Sequence, residues 1–328
     1  MTETTELKRI IEPILDDLKV FQDEFELALK SEVRLINVIA RYLLNHKGKA
    51  IRPILTILTA RVSGGPTVNS YKAAAMVELL HLATLMHDDV VDEAKRRRGF
   101  PTIHKIWKNK TAIIMGDFIL SQVLTNLIRL RDFEALDLIS DTAKRLSSGE
   151  MLQIESSFKK SMSEETYFKM VQDKTASLIS TCCELGVITT SKDDTHQSAA
   201  KDYGEKLGVA FQIKDDLFDI LGASQDTGKD ANKDVTKNMI TLPIIHTLSS
   251  PLSRVERRQM KKTLSNGARG SDIARLKNIV SDHGGFDYTK KKLQEFSDQA
   301  IGALAPFPDS PYKRSMVDLC LYNVQRTR

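Results

Sequence analysis

Apolar side chains recur at spacings of three and four along almost the whole chain. Leu7, Ile10, Ile11, Ile14, Leu15 and Leu18 begin the series, and their spacing predicts an amphipathic helix over 4–25. Val33, Ile36, Ile39, Leu43 and Leu44 predict a second over 32–45. Similar runs predict helices over 51–63, 70–92, 112–131, 133–158, 163–186, 194–222, 240–249, 253–265, 271–283, 286–303 and 311–325. Ser63-Gly64-Gly65-Pro66-Thr67 separates two of these, with Thr67 placed as an N-cap. No run shows strand-like alternation bounded by turn pairs. The pattern predicts an all-α chain, read as one domain over 1–328. Its longest stretch without apolar periodicity is 223–239, GASQDTGKDANKDVTKN. A polar loop of that length in a compact fold is usually functional or disordered.

Composition narrows the class. The chain has 328 residues, 41% hydrophobic and 28% charged, enough for a large core. Only 9 prolines and 16 glycines punctuate it, which suits long helices with short connections. A net charge of +5, scattered rather than clustered, makes no case for a nucleic-acid partner. Cys182, Cys183 and Cys320 lack metal-ligand spacing and read as reduced core thiols of a cytoplasmic protein. The N-terminus is acidic and amphipathic, without the basic start of a signal peptide. No stretch reaches the ~18 apolar residues of a membrane span, so stable membrane insertion is not expected.

The chemistry lies in a pattern that occurs twice, Asp-Asp-x-x-Asp. The first copy is Asp88, Asp89 and Asp92, the second Asp215, Asp216 and Asp219. On a helix, positions i and i+4 share a face and i+1 is turned by about 100°. Carboxylates this close repel one another unless a cation lies among them, and hard divalent ions such as Mg²⁺ use one or two carboxylates with water and phosphate oxygens. The plain alternative for a single copy is a solvated acidic helix face. Both copies sit inside apolar helices, however, in LLHLATLMHDDVV and FQIKDDLFDIL. Buried charge is costly unless paired or metal-bound, so the two together predict metal sites. His81 lies two turns before Asp88 on the same face; alone it would more often be a satisfied core histidine. Cations complete the set: Lys49, Arg52, Arg96, Arg97, Arg98, Lys174, Lys229 and Lys233. Arginine forks suit phosphate oxygens. Neither a GxxxxGK[ST] loop nor a kinase glycine loop is present, so the predicted chemistry is that of polyphosphate groups other than nucleotide hydrolysis.

These residues carry a resemblance. GKAIRP, ELLHLATLMHDDVVDEAKRRRG, MGDFILSQ, SGEMLQI, DKTASL, FQIKDDLFDILG and the GKD…TLP segment occur in the order found in trans-isoprenyl diphosphate synthases. The chain resembles the long-chain polyprenyl members most, over 25–325. The resemblance implies a bundle of long helices around a deep central cavity, usually a homodimer. It implies head-to-tail condensation of isopentenyl diphosphate with an allylic diphosphate such as farnesyl or geranyl diphosphate, using two or three Mg²⁺ ions. By the same resemblance Asp88 and Asp92, supported by Asp89, hold metal against the allylic diphosphate, and Asp215, with Asp216 and Asp219, forms the second metal cluster. Arg97, Lys174, Thr175, Gln212 and Lys229 fall on the allylic side. Lys49, Arg52, His81 and Arg98 fall on the isopentenyl diphosphate side. Arg96 has no counterpart and reads as solvated.

Three departures stand out. Lys47-Gly48 replaces the family's Gly-Gly, Asp230 follows Lys229 where proline is common, and Asn238-Met239 replaces a Gly-Lys pair. They bear on how the polar loop closes.

By the same resemblance, the fifth and fourth residues before the first triplet gate product length. Ala83 and Thr84 stand there, both small, with Leu80 and Val77 successively deeper. One helical turn is about 5.4 Å, close to one isoprene unit, so small gates predict a product beyond about C20, roughly C30–C45. A shorter-chain farnesyl or geranylgeranyl diphosphate synthase, a terpene cyclase and a noncatalytic subunit of a heteromeric synthase are the alternatives. Lys49, Arg52 and Arg98 argue against the cyclase, which has no second diphosphate to hold. The two intact aspartate triplets argue against the noncatalytic subunit.

Overall fold

Helical spacing becomes helix nearly everywhere in the computed structural model, which describes residues 3–46, 48–159, 161–221, 240–266 and 270–326. The predicted first helix is broken. α1 (Glu3–Ile11) passes into a 3₁₀ turn (Glu12–Ile14) and then α2 (Leu15–Ala28). Pro13 has no N–H to continue the helical ladder. Apolar spacing survives the turn, so Ile10 and Ile14 are both 1% exposed.

α3 (Arg34–Asn45) and α4 (Ile51–Val62) follow, and nine of the twelve residues of α4 are buried, the mark of a core helix. α5 (Val68–Val91) begins at a reciprocal capping box. Thr67 accepts from the Ser70 amide, and Ser70 accepts from the Thr67 amide. Thr189 donates to the Ser70 hydroxyl at 2.8 Å, and Thr67 donates to the Thr189 carbonyl at 2.9 Å.

A two-residue antiparallel hairpin, β1 (Arg96–Arg97) and β2 (Phe100–Pro101), departs from the purely helical expectation. Arg98 (φ 53°) and Gly99 (φ 83°) both take the left-handed conformation that a tight hairpin turn requires. Strands this short leave no periodicity to read.

α6 (Ile103–Leu130) starts earlier than predicted, with a kink at Lys108 (φ 70°, ψ 164°). By length and composition α6 could cross a membrane, contrary to the sequence reading, yet it packs along α5 with 33% of its most apolar window buried in the fold. α7 (Phe133–Lys159) and α8 (Glu164–Val171) lead into a π turn (Gln172–Ala176) and α9 (Ser177–Ile188), so the predicted 163–186 helix has a bulge at its centre. α10 (Asp194–Leu221), α11 (Leu242–Ser249), α12 (Arg254–Asn266), α13 (Gly270–Asp282), α14 (Gly285–Ala303) and α15 (Pro311–Gln325) complete the described elements.

The chain forms two compact units. The first comprises Met1–Ala143, Leu178–Gly204 and Ala303–Asp318, the second Lys144–Ser177, Glu205–Gly302 and Leu319–Arg328. In the first, α9 lies flush on α4 at Gly186, where a Cβ would fall 2.6 Å from the Thr56 carbonyl oxygen. In the second, Ile213, Leu242, Ile244, Met260 and Val280 form a core with no more than 0% exposure. Cys182, Cys183 and Cys320 are free and buried, as the thiol reading expects. Burial pushes the Cys182 thiol up to about 12, which keeps it protonated and unreactive.

Candidate active site

In the first unit, the Asp88 triplet closes α5. Asp92 is the C-cap, and its amide donates to the Asp88 carbonyl at 2.7 Å. Carboxylates at a helix C-terminus oppose the helix dipole, so this placement favours a nearby cation. The middle residue behaves differently. Asp89 is 3% exposed, and Arg97 donates to its Oδ1 from Nε at 2.9 Å and Nη2 at 2.8 Å. The hairpin carries Arg97 back onto α5. Asp89, expected among the metal ligands, and Arg97, expected on the allylic diphosphate, therefore engage each other. Helical geometry turns Asp89 away from the Asp88–Asp92 face.

The next residue, Arg98, lies flat on Gly48, and no side chain could occupy that position without meeting the guanidinium. A side chain at Gly48, the glycine of KGKAIRP, would have to displace that guanidinium. Gly48, His81, Arg97 and Arg98 converge on a recess of about 850 Å³, open solvent included, whose apolar side is formed by residues such as Phe21, Phe25, Leu82 and Ile103. Burial pushes the His81 imidazole well below the usual histidine range, and the charges of Arg52, Arg97 and Arg98 push it further. His81 is therefore neutral at pH 7, able to donate a hydrogen bond without adding charge. Arg52 Nε is buried without a hydrogen-bond partner. Lys49 is exposed just before α4, and neither it nor Arg52 lines the recess.

The predicted chain-length residues lie on another face of α5. Val77, Leu80 and Ala83 are 0%, 2% and 2% exposed, and the Thr84 hydroxyl donates to the His81 carbonyl at 2.8 Å. None of the four lines the recess on that helix.

In the second unit, α10 carries Asp215, Asp216 and Asp219. The middle residue is again the buried one, 2% exposed. Asp216 accepts from the Tyr167 hydroxyl at 2.7 Å and from Gln212 Nε2 at 2.9 Å. Thr175 in turn donates to Gln212 Oε1 at 2.9 Å. Lys174 pairs with Glu150 at 2.5 Å and donates to Gln153 Oε1 at 2.9 Å.

Both Lys174 and Thr175 ride on the π turn, a local geometry often found at functional positions. The turn is braced from behind. Asp173, 4% exposed, receives Arg145 Nε at 3.0 Å and Lys169 Nζ at 2.7 Å. Gly149 lets α7 lie flush against it. Gln212, Asp216, Tyr167, Gln153 and Thr241 line a second recess of about 440 Å³, open solvent included. Asp215 is paired with Arg326 Nη2 at 2.6 Å. Lys229, Lys233 and the 223–239 loop lie outside the described residues, as do Lys47, Asp230, Asn238 and Met239.

Tyr167, Glu150, Arg145 and Arg326 escape the sequence reading. Glu150 stands within the SGEMLQI motif, a signal that was present. Arg326 and Tyr167 stand in ordinary helical context.

Among the described residues no three His, Cys, Asp or Glu side chains form a ready metal cage. Mg²⁺ does not require one, since it keeps several waters and takes one or two carboxylates with substrate oxygens. Asp88 and Asp92, one helical turn apart at the dipole's negative end, fit that donor set. Asp216 has both oxygens engaged and fits a positioning role better than a ligand's.

Residues 33–282 match the family described as Polyprenyl synthetase. The octaprenyl diphosphate synthase of Escherichia coli (strain K12) is 31% identical over 301 residues, 92% of this chain and 93% of that protein. The geranylgeranyl diphosphate synthase of Saccharolobus solfataricus is 30% identical over 310 residues, 92% and 93% of the two chains. A crystal structure of polyprenyl synthase from Caulobacter crescentus CB15, complexed with calcium and isoprenyl diphosphate, superposes with a TM-score of 0.89 at 29% identity, covering 98% of each chain. The chain belongs to the polyprenyl synthetase family and is an enzyme of the trans-polyprenyl diphosphate synthase class, an all-α prenyltransferase.

Proposed function

We propose that the enzyme joins isopentenyl diphosphate head-to-tail to an allylic diphosphate and repeats the step to an all-trans product longer than about C20. The observation that carries this reading is α5, which bears neutral His81 among arginines on its recess face and Asp88 with Asp92 at its C-terminal end. His81, Arg98, Lys49 and Arg52 hold the isopentenyl diphosphate. Lys174, Thr175, Gln212, Arg97 and Lys229 serve the allylic diphosphate. The allylic C–O bond breaks to release diphosphate; Mg²⁺, when bound, would be held by Asp88 and Asp92, and by Asp215 with Asp219, and would supply the positive charge that offsets the charge the leaving diphosphate gains. The allylic carbon then forms a bond to the isopentenyl double bond, and the resulting cation passes a proton to the released diphosphate. The calcium and isoprenyl diphosphate in the Caulobacter relative support this pairing of metal and ligand.

We read the whole chain as one synthase domain, since the family match runs through residues of both units. A homodimer is supported by α6 and its neighbour, where Ile114, Ile128 and Phe133 are 60%, 67% and 84% exposed. Three reduced, buried cysteines suit the cytoplasm.

A second reading has its own support. Val77, Leu80 and Ala83 are close-packed, and a geranylgeranyl diphosphate synthase is among the relatives. The purified single chain, incubated with farnesyl diphosphate, labelled isopentenyl diphosphate and Mg²⁺, distinguishes the readings. Products beyond C20 are expected. A C15 or C20 end product supports the shorter-chain reading, and no incorporation refutes condensation by the single chain. Asp88→Asn should abolish turnover with an unchanged melting midpoint.

A further inference from the structure

The chain carries a net charge of only +5, yet one helix gathers a face of a single sign. α12 reads RVERRQMKKTLSN, and Arg254, Arg257, Arg258, Lys261 and Lys262 are all exposed. At 100° per residue the five fall within about 140° of the helix circumference, along about 12 Å of its length. Met260 and Leu264, 0% and 6% exposed, fix the other side in the core of the second unit. The helix has one acidic residue, Glu256, and it lies outside that arc. Its carboxylate is engaged by His283 at 3.2 Å and by the Ser253 amide at 2.8 Å. Arg257 donates to the Leu248 carbonyl at 3.4 Å, and among the described residues no carboxylate pairs with any of the five cations.

This arrangement works against the helix that bears it. Arg254, Arg258 and Lys262 stand at successive i, i+4 positions, as do Arg257 and Lys261, and like charges at that spacing are destabilising. An anionic surface laid along the helix turns the repulsion into attraction. The apolar side of α12 is already spent on the fold, so contact through this face is electrostatic and inserts no helix. Val255, 74% exposed, stands at the edge of the cationic arc, and an apolar side chain beside cations suits the headgroup boundary of a bilayer. No aromatic side chain lies between Ser250 and Asn266, so a single-stranded nucleic acid finds no base-stacking platform there.

We propose that the cationic face of α12 is a docking surface for an anionic lipid bilayer. One further support rests on the function proposed above: a prenyl product longer than about C20 buries its tail far more favourably in lipid than in water. A synthase resting on a bilayer releases that product beside its natural solvent.

Co-sedimentation with phosphatidylcholine vesicles, with and without about one third phosphatidylglycerol, tests the docking without turnover. The full chain should bind the anionic vesicles at least tenfold more tightly than the neutral ones, and lose that preference between ~50 mM and ~500 mM KCl. The Arg254→Gln, Arg258→Gln, Lys262→Gln triple variant should lose about a hundredfold, from roughly fivefold per cation near an anionic surface. Its melting midpoint should not fall. The Lys19→Gln, Lys159→Gln, Lys290→Gln variant removes the same net charge from scattered positions and should bind the vesicles nearly as the wild type does. Equal binding to neutral vesicles overturns the proposal, as does an equal loss in the two triple variants. Binding to duplex DNA that depends on α12, without binding to anionic vesicles, also overturns it. A wild-type chain that forms no prenyl product, but binds anionic vesicles through α12, would refute the condensation and leave the docking face standing.

Discussion

Arg326 donates from Nη2 to Asp215 Oδ1 at 2.6 Å, tying the end of the described chain to the head of the second aspartate triplet. The guanidinium is held in place. It lies 4.3 Å from the Phe211 ring centroid and 5.2 Å from that of Phe218, and its Nε donates to Asn323 at 3.0 Å. Arg326 is 9% exposed while the Asp215 side chain is 43% exposed. Solvent screening on the carboxylate side tempers the value of the pair. Arg326→Met should cost about 1–2 kcal/mol in urea unfolding, below the loss for a fully buried pair. An Arg326→Met variant as stable as the wild type would show that the contact carries no energy.

Tyr167→Phe removes a donor to Asp216, a 2.7 Å hydrogen bond among buried groups. A loss of about 1–3 kcal/mol is expected. Because Gln212 links Asp216 to Thr175, the KM for the allylic diphosphate should rise while that for isopentenyl diphosphate stays constant. Steady-state kinetics with each substrate varied separately checks the asymmetry.

Gly149→Ala should disturb the same turn from the other side. A Cβ there would lie 2.6 Å from the Lys174 amide nitrogen and 2.9 Å from its Cβ, so the π-turn backbone must move. Overpacking of this kind costs about 1–3 kcal/mol. The variant should lose both melting temperature and allylic diphosphate affinity. Gly302→Ala, where nothing lies within 4 Å, should leave allylic diphosphate affinity unchanged without lowering the melting temperature, and serves as the control.

His81 makes stability depend on pH. Its folded-state pKa is depressed by burial and by Arg52, Arg97 and Arg98, whereas the unfolded chain takes up the proton near 6.5. Below that value the unfolded state binds more protons, so stability falls as pH drops, by up to about 1.4 kcal/mol per pH unit. Above it the contribution is constant. Urea midpoints at pH 7.5 and 5.5 should converge in His81→Asn relative to the wild type. Equal slopes in the two proteins would mean that His81 is protonated in the fold.

The exposed face of α6 gives a fifth handle. Ile114→Lys with Ile128→Lys should convert the proposed dimer to monomer in sedimentation velocity, with unchanged helical content. Ile114 and Ile128 are 60% and 67% exposed, so neither lysine needs burial within the chain itself.

Helices were legible because their signal is local. Ile10, Ile11, Ile14 and Leu15 keep their three- and four-residue spacing through a 3₁₀ turn, so periodicity alone cannot show the break that Pro13 imposes. The same blindness hides the π turn at 172–176 and the kink at Lys108, since neither alters which residues are apolar. The aspartate triplets and their cations were legible as composition within helices. Which aspartate turns inward follows from a helical rotation of about 100°, and the structure makes it the middle one both times. What holds each inward residue was not legible. Tyr167 reaches Asp216 across 49 residues, and Arg326 reaches Asp215 across 111. No spacing rule connects positions so far apart.

The knot of hydroxyls at Thr67, Ser70 and Thr189 lies at the opposite end of α5 from Asp88, a separation of about 32 Å along an unbroken helix. With no glycine or proline between 68 and 91, α5 behaves as a stiff lever clamped at one end. Any slack at the clamp is magnified at the tip, where two carboxylates must meet a metal to within fractions of an ångström. A Thr189→Val change, remote from every reacting atom, would therefore act as a loosened pivot, blurring the aim of Asp88 and Asp92 rather than removing anything from the site.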